Sequence, residues 1–284
     1  MMSVKIRFYI FLLLACFGIN SRLPALEEGE IREFFKDTLL IINFNHPYYD
    51  NIDFLKEIYA PHFTNIVFFG EAPHPEVNVV VSENGFFIHR VMKKALELWP
   101  NYKGYICLQD DCLLNYWNYP KKGRDRNKIW LHQYWTASLN TPKHWWPWWE
   151  KPYGCTASIS AYSKLPYGNR RMLTKNCGNC NMAFSWADCF YIPERYRERF
   201  IALSSCFDNP AVFIEIAVPT MVLCLEEYDK IEKLNPYWGG TINSIDFANY
   251  STDQDWVHPL KLSNPKNREF IRQVIAQMRE NKYQ

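Results

Sequence analysis

Two carboxylates stand side by side in Gln109-Asp110-Asp111, directly after the apolar run Gly104-Tyr105-Ile106-Cys107-Leu108. Adjacent anions at the end of a buried segment repel each other and lose hydration. A divalent cation, or a phosphate carried by one, relieves that penalty, so Asp110 and Asp111 are candidate contacts for such a ligand. A third carboxylate, Glu215, sits among Val212, Phe213, Ile214, Ile216, Ala217 and Val218. Burial without a partner raises a carboxyl pKa, as a general base near neutrality needs. Asp188, in Trp186-Ala187-Asp188-Cys189-Phe190, is a second candidate for that task. The competing assignments are a polar turn for the aspartate pair and a capping or salt-bridge partner for Glu215.

These side chains need elements to hold them. Residues 104–109 read as a buried strand, bounded by Gly104 and running into the aspartates. Upstream, 27–35 is polar and helical in pattern, and 38–44 (Thr-Leu-Leu-Ile-Ile-Asn-Phe) is a first central strand ending at Asn45-His46. Asp50 or Asn51 caps a helix through Tyr59, with Ile52, Leu55, Ile58 and Tyr59 on one face. Residues 65–70 and 77–81 read as two more strands. Gly85 opens a helix over 86–99, with Phe87, Val91, Ala95 and Leu98 at helical spacing, and Pro100 stops it.

Four strands with two intervening helices predict an α/β fold, a mostly parallel sheet flanked by helices. Its N-terminal half has the pattern of a nucleotide-binding sheet. Ligands of such sheets collect at the carboxyl ends of the strands, where Asp110 and Asp111 would sit. There is no GxGxxG after the first strand and no Walker lysine motif, which argues against dinucleotide and ATP-loop chemistry. Further on, 182–192 reads as one or two strands around Asp188, and 194–205 as a helix. Asp208 or Asn209 caps a helix from Pro210 to about Leu225, and a last helix covers 265–280.

The 284 residues suit one domain at 27–284 behind an N-terminal leader at 1–26. With 48% of residues apolar and 17% aromatic, a large core is available. A net charge of +2 without a long basic block speaks against nucleic acid as a partner. Lys5 and Arg7 precede an apolar run over 8–19, the pattern of a secretory signal peptide. That run is short for a membrane span, which takes roughly 17 to 25 residues. Cleavage after Gly18 or Ala25 would release the chain; uncleaved, 8–19 would tether it to a membrane as a short signal anchor.

An oxidising lumen fits two further features. Eight cysteines lie beyond Cys16, an even number that permits disulfides, and Asn249-Tyr250-Ser251 is an N-glycosylation sequon. Cys177-Gly178-Asn179-Cys180 lacks the second ligand pair of a zinc knuckle and the setting of a thioredoxin site, so it predicts a turn stapled by disulfides. Trp145-Trp146-Pro147-Trp148-Trp149 offers indole faces on which sugars stack, with core or loop packing as the alternative. Lys164, Arg170, Arg171 and Lys175 form a small basic cluster, read as a solvated face rather than a diphosphate site.

In this order of features, from about Thr38 to Ser263, the chain resembles metal-dependent glycosyltransferases of the GT-A fold. The strand ending in paired aspartates is similar to their DxD region, although Gln109 stands where a first aspartate would. The late His258-Pro259-Leu260-Lys261 is similar to the segment from which such enzymes recruit a histidine and a lysine. The resemblance implies Asp111 and His258 as metal ligands. It implies Asp110, Asp111, Asn45, His46 and Lys261 as contacts of a nucleotide-sugar, with Lys261 on the diphosphate. The metal would be Mn²⁺ or Mg²⁺, with one imidazole inclining the choice to Mn²⁺.

The implied reaction moves a sugar from a nucleotide-diphosphate donor to a glycan or glycoprotein acceptor. Glu215, then Asp188, are the candidate bases if the anomeric centre inverts. The implied location is the Golgi or ER lumen, membrane-anchored, or outside the cell if the leader is cleaved. A non-catalytic luminal lectin or accessory protein on the same fold is the alternative, because fold does not fix function. A secreted hydrolase would need a GxSxG or HExxH motif, which the sequence lacks. The reading carries a geometric expectation: the loop bearing His258 folds back over the carboxyl end of the central strand, and Glu215 opens on the same cavity.

Overall fold

A helix at Glu28–Phe35 (α1) leads into Thr38–Asn43 (β1), every residue of which is buried. Ile52–Tyr59 (α2), Asn65–Gly70 (β2), Val77–Val79 (β3), Ile88–Leu98 (α3) and Gly104–Gln109 (β4) follow. The description rests on a computed structural model and covers residues 28–239 and 250–280; the leader and Asn249 of the sequon lie outside the described residues. Among the described residues no helix is long and apolar enough to cross a membrane.

The second half contains Leu113–Leu114 (β5), Trp130–His132 (β6), Trp135–Ser138 (β7), Cys155–Lys164 (α4) and Tyr167–Cys177 (α5). Asn181–Phe184 (β8), Cys189–Pro193 (β9), Arg197–Ser204 (α6) and Ile214–Leu225 (α7) come next. Glu232–Leu234 (β10), Pro236–Trp238 (β11), Trp256–His258 (β12) and Pro265–Glu280 (α8) complete the described chain.

Seven strands form the main sheet in the order β10-β6-β9-β4-β1-β2-β3. The four N-terminal strands are parallel, as are β10 and β6, and only β9 runs antiparallel to its neighbours. The fold is therefore the mixed α/β, mostly parallel sheet flanked by helices that the strand-helix alternation predicts. β1 and β4 lie at its centre and are apolar on both faces, as strands covered on both sides must be. Leu39, Ile41, Tyr105 and Cys107 turn to one face, with α3 and α7; Leu40, Ile42, Ile106 and Leu108 turn to the other, with α1, α2 and α8.

Three expectations need correction. The eight cysteines are free thiols, so the Cys177–Cys180 turn is not stapled and the disulfide reading fails. Six of the eight are buried, filling core space as small apolar side chains. The helix expected from Pro210 begins at Ile214, and Asp208 does not cap it. Asp208 instead accepts from buried His89 at 3.1 Å and from Arg90 at 3.2 Å, tying its loop to α3. Gly85 does not open α3 either, which starts at Ile88. Its φ of +84° closes a turn in which Glu83 and Asn84 are also left-handed.

Candidate active site

The strand pairing after the aspartates builds the site. β4 ends at Gln109, Asp110 and Asp111 make the turn, and β5 begins two residues later. β5 pairs antiparallel with β12, Leu114 opposite Trp256 and Leu113 opposite Val257. Continuing that register brings His258 towards Cys112 and Asp111. The chain past β12 stays attached, because the Leu260 N–H donates to the Asp111 backbone oxygen at 2.6 Å.

His258 Nε2 lies 3.4 Å from Asp111 Oδ1, and Lys261 Nζ is ion-paired with Asp111 Oδ2. Asp111 Oδ1 and His258 Nδ1 are both buried and make no hydrogen bond. His258 Nδ1 is 3.8 Å from Asp188 Oδ2, and the other oxygen of Asp188 accepts from Gln109 Nε2 at 2.7 Å. The imidazole is thus held between two carboxylates, one aimed at each ring nitrogen.

These groups face a cavity of about 770 Å³. Asn45, His46, Gln109, Asp111, Asp188, Glu215, His258 and Lys261 line it, together with Asn84, Gly85, Phe86, Trp148, Phe213 and Trp238. Asp110 does not line it. Its Oδ1 accepts the Asn45 N–H at 3.0 Å, so it fixes the loop after β1 from beneath. That loop is also the reason for Gly85: a Cβ there would fall 2.0 Å from Asn45 Oδ1, and the positive φ already disfavours other residues. Glu71 Oε1 anchors the same turn, accepting from the N–H groups of Ser82 at 2.9 Å and Asn84 at 3.0 Å.

Glu215 reaches the cavity from the first turn of α7. The Phe213 N–H bonds to Tyr153 O at 3.0 Å and the Ile214 N–H to Phe86 O at 2.7 Å, satisfying donors that a helix start leaves open. Pro219 lacks the N–H that would bond to the Glu215 carbonyl four residues back. The Ser185 N–H takes that acceptor at 2.9 Å, linking α7 to the segment that carries Asp188. Thr220 Oγ1 accepts from the Ala183 N–H and donates to the Ala183 carbonyl, completing the joint with β8.

Burial and mutual charge set the protonation of the cluster. Burial, then the charge of Asp111, push Asp110 up to about 7. Burial opposes ionisation of Asp111 as well, but His258 and Lys261 outweigh it and hold its pKa below the usual carboxylate range. Burial also opposes charging His258, yet Asp188 and Asp111 prevail and lift it to about 9. Burial raises Asp188, with His258 acting against it. Burial raises Glu215 well above an ordinary glutamate, and the charge of Asp188 adds to that.

The donor set suits a hard divalent cation. Asp111, His258 and Cys112 have ligand atoms within 4.8 Å of one another. Burial, then the charges of Asp111 and Asp188, raise the Cys112 thiol well above its ordinary value, which makes it a poorer donor to a hard cation than the carboxylate. A carboxylate oxygen without a hydrogen bond beside an imidazole nitrogen remains, an O/N pair compatible with Mn²⁺ or Mg²⁺.

The structure brings Asn45, His46, Asp111, Asp188, Glu215, His258 and Lys261 to one cavity and leaves Asp110 beneath it. The basic cluster is elsewhere: Lys164 donates to Asn209 O, Arg170 stacks over Tyr162 and Lys175 pairs with Glu227. Gln109, Asn84, Phe86, Phe213 and Trp238 were not singled out by sequence. The signal for Gln109 was its place before the aspartates; the others become neighbours only through tertiary packing.

What the fold and site define together is a mostly parallel α/β domain whose carboxylates, imidazole and lysine face one cavity. The chain is similar to two Arabidopsis thaliana proteins, each named a probable glycosyltransferase. It is 22% identical to STELLO2 over 259 residues, covering 88% of this chain and 33% of that protein. It is 24% identical to STELLO1 over 209 residues, 68% of this chain and 25% of that protein. The chain thus spans between a quarter and a third of the length of these relatives.

No family model matches. Two solved structures align weakly: a glycosyltransferase involved in glycosylation of the major capsid of PBCV-1, and the S. cerevisiae mannosyltransferase Ktr4p. The first has a TM-score of 0.40 at 12% identity, covering 83% of this chain and 99% of that one. The second has a TM-score of 0.36 at 10% identity, covering 68% and 67%. The resemblance to glycosyltransferases is borne out at that level by the two Arabidopsis thaliana relatives, without a specific member.

Proposed function

We propose that the chain is a luminal, metal-dependent glycosyltransferase that moves a sugar from a nucleotide-diphosphate donor to a glycan or glycoprotein acceptor. The observation that carries the reading is the meeting of buried Asp111 and partly buried His258, 3.4 Å apart, on a cavity that also holds Glu215 and Lys261. Asp111 and His258 would hold the cation. When bound, Mn²⁺ or Mg²⁺ supplies positive charge that stabilises the leaving diphosphate.

The other steps belong to the chain's own groups. Lys261 turns from Asp111 to the diphosphate, where its charge is worth most in a partly dehydrated cavity. Asn45 and His46, on the loop fixed by Asp110, hold the nucleotide end of the donor. Glu215 takes the proton of the acceptor hydroxyl as that oxygen bonds to the anomeric carbon and the sugar–phosphate bond breaks. Asp188 fits better as the group that orients His258, since Gln109 and His258 already engage its two oxygens. Luminal placement rests on the leader pattern over 5–19.

The test is a thermal-shift series with Mn²⁺ and UDP-, GDP- and CMP-sugars in turn. One donor should raise the melting temperature only with the cation, by the equivalent of about 2.7 kcal/mol at a hundredfold excess over its Kd. No shift with any donor would leave the cavity as that of a binding protein without donor chemistry.

A further inference from the structure

We propose that a strip of aromatic rings leading out of the cavity binds an extended oligosaccharide, the acceptor of the reaction, several sugar residues long. The proposal rests on the glycosyltransferase reading of the cavity. The strip starts at Trp238, which lines the cavity and is 50% exposed. Trp238 stacks on Trp186 with centroids 6.3 Å apart, and Trp186 meets Trp135 edge-on at 6.4 Å. Trp135 stacks on Phe184 at 5.7 Å, and Trp145 packs on the same Phe184 at 5.8 Å.

Core packing accounts for only part of this set. Trp149 is fully buried, and Trp146 lies flat on Phe184 at 4.6 Å. Trp135 is 37% exposed and Trp145 73%, so they present indole surface to water at a cost that packing does not explain. Each ring-to-ring step is comparable with the length of one hexopyranose residue. An indole face meets the C–H patch of such a ring, and its N–H can serve a hydroxyl.

The surroundings decide between occupants. Gln133 and Lys143, each two residues in sequence from one of these tryptophans, are exposed, giving polar groups where a lipid or an apolar protein face would need aliphatic ones. The inner end of the strip opens on Glu215, where an acceptor hydroxyl must arrive. A glycan whose terminal sugar reacts in the cavity would lay its remaining residues along Trp135 and Trp145, with Trp186, on which His132 stacks at 4.9 Å, linking them to Trp238.

The test uses gluco-, manno-, xylo- and galacto-oligosaccharides, from disaccharide to hexasaccharide, titrated by intrinsic fluorescence and offered as acceptors. In at least one series affinity should grow with length. The double variant Trp135→Ala/Trp145→Ala should weaken hexasaccharide binding about tenfold, as should kcat/KM on it. Disaccharide turnover and donor binding should stay unchanged, and Trp145→Phe should retain most of the affinity. Length-independent binding in every series, or a double variant that binds hexasaccharide like the parent, overturns the proposal. Capture of phosphatidylcholine vesicles that depends on Trp135 and Trp145, without glycan binding, overturns it in favour of a membrane contact. Length-dependent glycan binding without donor binding would keep the strip and remove the transferase reading.

Discussion

Leu113 and Val257 pair across the antiparallel ladder between β5 and β12, and that pairing sets Asp111 beside His258. Neither residue is near the other in sequence. The ladder is short, but it is reinforced behind the site, where Asn115 Nδ2 and Asn118 Nδ2 both donate to Gln254 O at 2.6 Å. The candidate metal site is therefore a product of sheet register, and its chemistry can be tested by substitutions that leave the register alone.

Asp111→Asn keeps the shape of the side chain and the Leu260 hydrogen bond to the backbone oxygen, but removes the anion. Mn²⁺-dependent donor binding should be lost, and His258→Ala should weaken it by at least tenfold, roughly the cost of losing one ligand of a pair. Isothermal titration with Mn²⁺ and donor measures both. Parent-like binding in both variants would reduce Asp110 and Asp111 to a polar turn.

If the proposed cation binds, the His258 imidazole should make that binding pH-dependent in a direction opposite to stability. His258 has its folded pKa raised to about 9 from the ordinary 6.5 by Asp188 and Asp111, against the effect of burial. Its stabilisation of the metal-free fold is present in full below 6.5 and is lost as pH rises through 9. Mn²⁺ needs the neutral ring, so its affinity should rise over the same interval. Melting curves of metal-free protein from pH 6 to 10 should show the decline. His258→Asn should flatten that part of the curve, and an unchanged slope would dissociate it from His258.

Glu215→Gln and Asp188→Asn separate the two candidate bases. Loss of a general base typically lowers turnover by about 10²- to 10⁴-fold. Glu215→Gln should do so with donor affinity intact. Asp188→Asn should instead lower Mn²⁺ affinity, since Asp188 Oδ2 faces the ring nitrogen turned away from Asp111. The reverse pattern would exchange their roles.

Much of the fold was legible because the central strands and long helices obey local rules. β2 and α8 match their predicted limits, and β1 and β4 read as unbroken apolar runs because both faces are covered. The site was partly legible: paired carboxylates after a buried strand, and a glutamate in an apolar helix, are costly unless used. What the sequence hid depends on non-local partners. The α7 start is set by Phe86 and Tyr153, which supply its first acceptors, and not by a cap at Asp208. The cysteines looked like a disulfide framework by number alone, while six of them are core packing. Gln109 is ordinary until Asp188 arrives from a distant strand connection.

Gly85→Ala tests the turn beneath the nucleotide end. The added Cβ meets Asn45 Oδ1 at 2.0 Å and Gln109 Oε1 at 3.3 Å, in a backbone conformation with φ +84°. Left-handed strain alone costs of order 1–3 kcal/mol. Asn45 must also move, and with it the loop that Asp110 holds. Donor affinity should fall more than the loss of stability accounts for, measured on protein kept well below its melting temperature. Unchanged donor affinity would remove Asn45 from the donor contacts.

Asp255 provides the most demanding test of how the site is held. It is fully buried three residues before His258, pairs with Lys122 at 2.7 Å and Arg124 at 2.8 Å, and accepts the Asn235 N–H at 2.7 Å. Its backbone N–H donates in turn to Asn235 O at 2.7 Å, so one residue joins the segment after the aspartates to both strands of the β11–β12 pair. Asp255→Asn leaves the guanidinium of Arg124 with Glu232 as its one anionic partner among the described residues and removes a buried charge that two cations enclose. Breaking such a cluster from one side costs about 3 kcal/mol. Urea unfolding should register that loss. If the cluster also sets the register of β12, Mn²⁺ affinity of the folded variant should drop about tenfold, because His258 moves with the strand. A variant that loses stability but keeps parental Mn²⁺ affinity would mean that the β5–β12 pairing alone holds His258 in place.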